Sequence, residues 1–196
     1  MDPHIFVFFG RSGSGKGTQV ELLREYLKKK DPGREIIHVE TGKKLRAHAE
    51  DGTYSGHLTH EVLSKGGLMP EFLPIYMWSD TFVKEYSGEE HLILDGVSRR
   101  LPEAGVLLGA INFYHAKKAY VVHIDVAPEI VKQRLLERKR PDDTEEYIAS
   151  RLAWFEENTR PAIDFFKNAE GITFIEIDGS GGSEKVHEEL IKRIEQ

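Results

Sequence analysis

The chain contains no cysteine, which excludes disulfides, a thiol nucleophile and a cysteine-ligated zinc site. It also lacks any apolar run approaching the ~20 residues of a membrane span. Met1-Asp2-Pro3-His4 leads straight into the first apolar run, with no signal-peptide pattern. A soluble, cytoplasmic protein with no membrane partner is the expectation. Surplus positive charge is missing as well: 27 Lys and Arg against 33 Asp and Glu leave a formal charge of −6. A general nucleic-acid binder must neutralise phosphates, so nucleic acid is not the expected partner, whereas small anions in a local basic cleft are compatible with this balance. Repeats and low-complexity segments are absent too. The 196 residues, 39% of them hydrophobic, are the size of one large domain, read as a single unit spanning 1–196. A monomer is expected.

What is present concentrates first in Gly10-Arg11-Ser12-Gly13-Ser14-Gly15-Lys16-Gly17-Thr18. This stretch follows the apolar run Ile5-Phe6-Val7-Phe8-Phe9, read as a buried strand. It precedes a segment from Gln19 to Leu27 that places Val20, Leu23 and Leu27 on one helix face. Strand, glycine loop and helix in that order are the context of a phosphate-binding loop. Glycines let backbone amides turn inward around phosphate oxygens, the helix N-terminus adds its positive end, and Lys16 brings a mobile charge to the outer phosphates. Such a loop holds a nucleotide. In the general pattern a hydroxyl residue follows the lysine directly; here Gly17 stands there, and the hydroxyl arrives at Thr18.

Strand and helix signals then alternate. Glu35 to Val39, His91 to Asp95, Tyr120 to Val126 and Ile172 to Ile177 read as four further strands. Between them lie a mostly helical region from Thr41 to Ser87, a helix from Leu101 to Tyr114, and one that Pro128 opens and that runs to about Lys139. A long helix capped by Asp142 or Asp143 carries Ile148, Leu152 and Phe155 and, beyond Pro161, Ile163 and Phe166; a last helix spans Glu184 to Ile194. The pattern predicts an α/β fold: a five-stranded parallel sheet covered by helices on both faces, with ligands at the strands' C-terminal ends.

Leu92-Ile93-Leu94-Asp95-Gly96 delivers one carboxylate at a strand tip, where a phosphate-loop protein needs a partner for the magnesium shell. Arg46, Arg99, Arg138, Arg140 and Arg151 fall near strand ends or around Pro141. Phosphoryl transfer needs such forked donors for the equatorial oxygens and for an incoming phosphate.

The loop's Gly-Lys-Gly-Thr-Gln ending resembles that of the adenylate kinase family of nucleoside monophosphate kinases, of the short-lid type. The likeness continues through Thr41-Gly42-Lys43-Lys44-Leu45-Arg46, Gly67-Leu68-Met69-Pro70 and Leu94-Asp95-Gly96-Val97-Ser98-Arg99. It runs on through Arg134 to Arg138, Arg140-Pro141-Asp142-Asp143, Arg151-Leu152, Thr159-Arg160-Pro161 and Asp178-Gly179-Ser180-Gly181. The resemblance implies a phosphate-loop fold with a small helical monophosphate-binding insert, approximately 41–70, and a minimal lid, approximately 138–143. It implies transfer of the ATP γ-phosphoryl group to a nucleoside monophosphate, AMP before GMP or a pyrimidine nucleotide, with Mg²⁺ as cofactor. By position, Gly10, Ser12, Gly13, Ser14, Gly15, Lys16, Gly17 and Thr18 hold the ATP phosphates, Arg138 stacks near the ATP base, and Gly181 meets the adenine through its backbone. Asp95 orients waters on Mg²⁺. Thr41, Met69, Gly96 and Glu103 belong to the monophosphate site, Arg46 and Arg99 grip its phosphate, and Arg140 and Arg151 stabilise the transferring group.

Three departures from the family pattern stand out. Ser98 replaces a common Pro, which is expected to loosen the turn before Arg99. Lys43 stands where an acid is usual. Glu103 stands where adenylate kinases carry a Gln that reads the adenine edge; an ionised carboxylate only accepts, so Glu103 is expected to relax base selectivity, with AMP still used and GMP better tolerated, unless it turns to Arg100 or reads the amino group alone. A nucleotide-binding switch without transfer is the alternative of another class, and Arg140 and Arg151 speak against it because they address the transition state. His57 and His60 read as a surface pair, Trp78, Trp154, Phe155, Phe165 and Phe166 as core, Lys28 to Lys30 as a solvated helix end, and His123 as a satisfied core histidine.

Overall fold

A computed structural model describes residues 2–138 and 143–196 of the chain. Each apolar run expected to be a strand is one, and the five strands form one fully parallel sheet. They are β1 (His4–Phe9), β2 (Ile36–Glu40), β3 (His91–Asp95), β4 (Lys118–Asp125) and β5 (Ile172–Asp178), in the order β2-β3-β1-β4-β5. β1 is central and buried at every residue. Its side chains alternate between two cores, as strand geometry requires. Ile5, Val7 and Phe9 join Trp78, Phe82, Leu107, Ile111, Ile163 and Phe166 on one face, while Phe6 and Phe8 join Val20, Leu23, Leu27, Val131, Ile148 and Leu190 on the other. Each such side chain withdrawn from water is worth roughly 1.5 to 3 kcal/mol, which is why β1, apolar at every residue but His4, pairs as the central strand.

The helices covering these faces are α1 (Lys16–Lys30), α4 (Phe72–Lys84), α5 (Leu101–Phe113), α6 (Pro128–Arg138), α7 (Glu145–Trp154), α8 (Arg160–Lys167) and α9 (Ser183–Ile194). α1 buries Val20, Leu23 and Leu27 and ends where the Asp31 amide donates to the Leu27 carbonyl, with Lys28, Lys29 and Lys30 exposed in its last turn. Between β2 and α4, α2 (Thr41–Ala49) and α3 (Tyr54–Ser64) form a small annex, and Leu45 of α2 joins Met69 and α4's Leu73 and Met77 in a cluster that packs it against α4.

The long helix departs from its sequence reading twice. Thr144, not Asp142 or Asp143, caps it, its side chain accepting from the Tyr147 amide; Asp142 lies outside the described residues, and Asp143 is committed elsewhere. The helix is also interrupted by a π turn at Phe155–Thr159 between α7 and α8. Pro161 lacks an N–H to donate back one turn, and the wider π turn absorbs that break without ending the helix. Of the aromatics read as core, Trp78, Phe155 and Phe166 are buried, whereas Trp154 and Phe165 are only half-buried. His57 and His60 are exposed on α3. Among the described residues no helix is long and apolar enough to cross a membrane.

Candidate active site

Parallel strands point their C-terminal ends one way, so Gly10, Thr41, Asp95, Asp125 and Asp178 emerge along one rim of the sheet. The phosphate loop leaves β1 at Gly10, at φ +148°, where a Cβ would lie 2.6 Å from the Ile124 carbonyl oxygen and 2.7 Å from Ser14 Oγ. Only glycine fits there. The loop closes at Gly15, left-handed at φ +95°, which caps α1 without a side-chain bond, and the first turn of that helix carries no acid. Its amides and its positive end are thus turned to the rim without an internal anion. Ser14 Oγ is buried with no hydrogen-bond partner among the described residues, while Gly17 and Thr18 are exposed.

Lys16 curls over this loop, its Nζ donating to the carbonyls of Gly10 (2.7 Å) and Arg11 (3.0 Å). Loss of water pulls its pKa down to about 8; the negative charge of Asp95 opposes the shift, and Arg99 and Arg138 add to it. Lys16, Asp95, Arg99 and Arg138, distant in sequence, therefore share one electrostatic neighbourhood. Arg46 and Arg99 converge over Gly42: a Cβ there would lie 3.3 Å from Arg46 Nη1 and 3.8 Å from Arg99 Nη2. Arg46 Nη2 also donates to Glu40 Oε1 (3.0 Å) and Arg99 Nε to the Gly96 carbonyl (3.2 Å). Thr41 is buried, its Oγ1 without a hydrogen-bond partner among the described residues, Met69 sits in the cluster between the annex and α4, and Lys43 is exposed.

The turn that presents Arg99 differs from its expectation. Ser98 is fully buried and left-handed at φ +56°, a conformation that Pro, held near −65°, does not adopt. The turn thus excludes the common proline, and the serine does not loosen it. Glu103 is 1% exposed, and its Oε2 accepts from the Arg99 amide (3.1 Å), so it ties down the same turn. Arg100 is paired with Glu71 instead (3.0 Å). Burial raises the Glu103 carboxyl to about 7; the Arg99 amide and the charges of Arg99 and Arg100 oppose the shift, and Glu71 adds to it.

On the far side, Asp143 has a fully buried side chain and accepts from Arg138 Nε and Nη2, each at 2.9 Å, and from Arg151 Nη1 at 3.1 Å. Arg140 lies outside the described residues, as does most of the 138–143 segment. Gly181 is exposed in the turn after β5; Arg134 holds that turn through the Gly179 carbonyl, with Nη1 and Nη2 both at 3.1 Å. Tyr147 links α7 to the annex, its hydroxyl donating to the Ser64 carbonyl (2.9 Å) and its ring lying against Gly66.

A family model described as adenylate kinase matches residues 8–171. The chain belongs to the adenylate kinase family. Proteins named adenylate kinase from Prochlorococcus marinus (strain MIT 9301), Leptospira biflexa serovar Patoc and Corynebacterium aurimucosum are 33%, 34% and 30% identical to it, over 91%, 96% and 95% of this chain and 92%, 98% and 97% of theirs. It is accordingly a nucleoside monophosphate kinase, a phosphotransferase of the adenylate kinase family.

Sequence reasoning misses Arg11, Glu40, Asp143 and Tyr147, whose roles depend on partners brought close by folding. A signal exists for Asp143 alone: a carboxylate between two candidate arginines, which in sequence reads as a helix cap. His123 reads as satisfied; its Nδ1 does meet Glu176 Oε2 at 2.9 Å, but its Nε2 has no hydrogen bond.

Proposed function

We propose that this enzyme transfers the γ-phosphoryl group of Mg·ATP to AMP, giving two ADP. The observation that carries the proposal is the gathering of Lys16, Arg46, Arg99, Arg138 and Asp95 on the rim beside a phosphate loop whose amides have no internal anion. Cationic donors gathered on this scale along one rim suit a ligand with several phosphates. The loop amides and Lys16 hold the ATP phosphates. On binding, the Lys16 ammonium exchanges two carbonyls for phosphate oxygens, and the added negative charge restores its pKa. Arg46 and Arg99 hold the phosphate of the acceptor, whose own oxygen is the nucleophile, so no side chain need form a covalent intermediate. Arg151, with Arg140, meets charge developing on the transferring group. Catalysis is then positioning and charge stabilisation in a site closed to water.

Asp95 suits the expected Mg²⁺: a single carboxylate at the tip of β3 beside phosphate-facing donors matches an ion that keeps several waters and takes its other oxygens from substrate phosphates. Held there with ATP, Mg²⁺ would supply charge neutralisation on the phosphates, with Asp95 orienting its waters. The segments 41–70 and 138–143 close over the substrates, in keeping with the Tyr147 bridge between α7 and the end of α3.

For the acceptor base, the raised pKa of Glu103 favours AMP more than an ordinary glutamate would. Reading adenine as a Gln does needs a protonated carboxyl, and with a pKa of about 7 that form is populated near neutrality at no further cost. The ionised form matches guanine, so GMP is the second acceptor. Formation of ADP from ATP with AMP, GMP, CMP and UMP in a coupled assay tests the proposal. AMP is expected to give the highest kcat/KM. A better acceptor than AMP would overturn the assignment of the base, and no transfer to any of the four would overturn the reaction.

A further inference from the structure

Arg11, inside the phosphate loop, is only 6% exposed, and its side chain is committed to other parts of the chain. Nη1 donates to Asp125 Oδ1 (2.8 Å) and to the Val126 carbonyl (2.9 Å), where β4 leaves the sheet. Nη2 donates to Glu156 Oε1 in the π turn. The guanidinium lies 4.6 Å from the centre of the Phe155 ring, whose other cation is Arg160 at 5.5 Å, and Arg160 Nε donates to the second oxygen of Glu156 (3.2 Å). The backbone carbonyl of Arg11 meanwhile accepts from Lys16 Nζ (3.0 Å) and from the Ser14 amide (3.0 Å). One residue thus joins the loop lysine, the end of β4 and the π turn, and that turn begins four residues after Arg151.

The guanidinium is buried while Asp125 and Glu156 are each about half exposed, so its desolvation is set against attractions that water partly screens, and these pairs are weak evidence for a purely stabilising role. What the fork supplies that an apolar group does not is direction: three acceptors at fixed angles, which a lysine would not satisfy together. The π turn adds to this, because one extra residue rotates the helix by about 100° relative to an α turn and sets the face on which Phe155 and Glu156 appear.

We infer that Arg11 is a positioning residue: it sets the span between the phosphate loop and the helix carrying Arg151, so that Lys16 and Arg151 act on one phosphoryl group. The inference rests on the role proposed above for Arg151. A displacement of about 1 Å between reacting groups costs up to ~10²-fold in rate, so loosening this span should appear in kcat before it appears in ATP binding.

The test is a double-mutant cycle of Arg11→Met and Arg151→Ala in the full chain. It is read as kcat for AMP phosphorylation, Kd of a fluorescent ATP analogue, and Tm. Arg11→Met is expected to lower kcat about 10- to 100-fold while changing the Kd less than about 3-fold. In the Arg151→Ala background the same substitution should change kcat less than about 2-fold, because the group it aligns is gone. A merely structural Arg11 would lower Tm and weaken ATP binding without this dependence on Arg151. If Arg151→Ala slows transfer but Arg11→Met costs the same factor in both backgrounds, the positioning role is overturned while that of Arg151 stands. If Arg151→Ala leaves kcat intact, the role of Arg151 is itself wrong and this inference falls with it. Should Arg11→Met not fold, Glu156→Leu, which removes the acceptor of Arg11 Nη2 and spares the bonds to Asp125 and Val126, takes its place in the cycle, and each outcome then supports or overturns the positioning role in the same way.

Discussion

Changing pH should change which nucleotide this enzyme prefers, through one carboxyl. Glu103 is 1% exposed, donates nothing while ionised, and has a pKa of about 7 because burial outweighs the Arg99 amide and the nearby arginines. About nine-tenths of the free enzyme is then protonated at pH 6 and about one-tenth at pH 8. If the protonated form reads adenine and the ionised form reads guanine, kcat/KM for AMP falls and that for GMP rises as the pH goes up. The AMP to GMP ratio would fall by up to about 100-fold, within what one good bidentate base contact, roughly 1 to 3 kcal/mol, supports. Taking the ratio removes everything the two reactions share, including the titration of Lys16 near 8 and of the acceptor phosphate. The assay is initial rates at subsaturating AMP and GMP from pH 6 to 8, in wild type and Glu103→Gln. A ratio that stays flat in the wild type, or that slopes equally in Glu103→Gln, would falsify base reading by this carboxyl and leave Glu103 as a clamp on the Arg99 amide alone.

Three further outcomes follow from the geometry. Lys16→Met should lower kcat about 10² to 10³-fold with little change in Tm, because the ammonium's two bonds are to loop carbonyls rather than to the core; more than half of wild-type turnover would remove the loop lysine from the reaction. Ser98→Pro should destabilise the fold by about 1 to 3 kcal/mol and raise KM for the monophosphate, while Ser98→Gly should be neutral or better, since φ is +56° there; thermal melts of the pair decide it, and a tolerated Pro would refute the left-handed turn. His91 is fully buried, and burial, helped by His4 and Arg34 and opposed by Asp31, lowers its pKa to about 4. The unfolded chain therefore binds this proton first, and stability is lost as pH falls from about 6.5 toward 4, by roughly 3 kcal/mol in full. Urea midpoints for wild type and His91→Gln should converge or cross below pH 5, and parallel curves would count against it.

The sequence by itself determined whatever depends on neighbours along the chain. A glycine loop between an apolar strand and an amphipathic helix forms from local backbone freedom and burial, and so do the five strands and the carboxylate at the tip of β3; all are legible in the order of residues alone. Tertiary structure alone decided the order in which the strands pair, with β3 between β1 and β2, since all five are apolar enough to be central. It also decided the partners of the charged residues. Arg11 meets carboxylates 114 and 145 positions away, and Asp143, which looks in sequence like a helix cap, is taken by Arg138 and Arg151 and leaves the capping to Thr144. Ser98 reads as a loosened proline turn until its positive φ shows that proline is excluded there. The carboxyl of Glu103 has no perturbed pKa in the sequence; burial creates the perturbation, because desolvation acts only once distant elements have closed around a group.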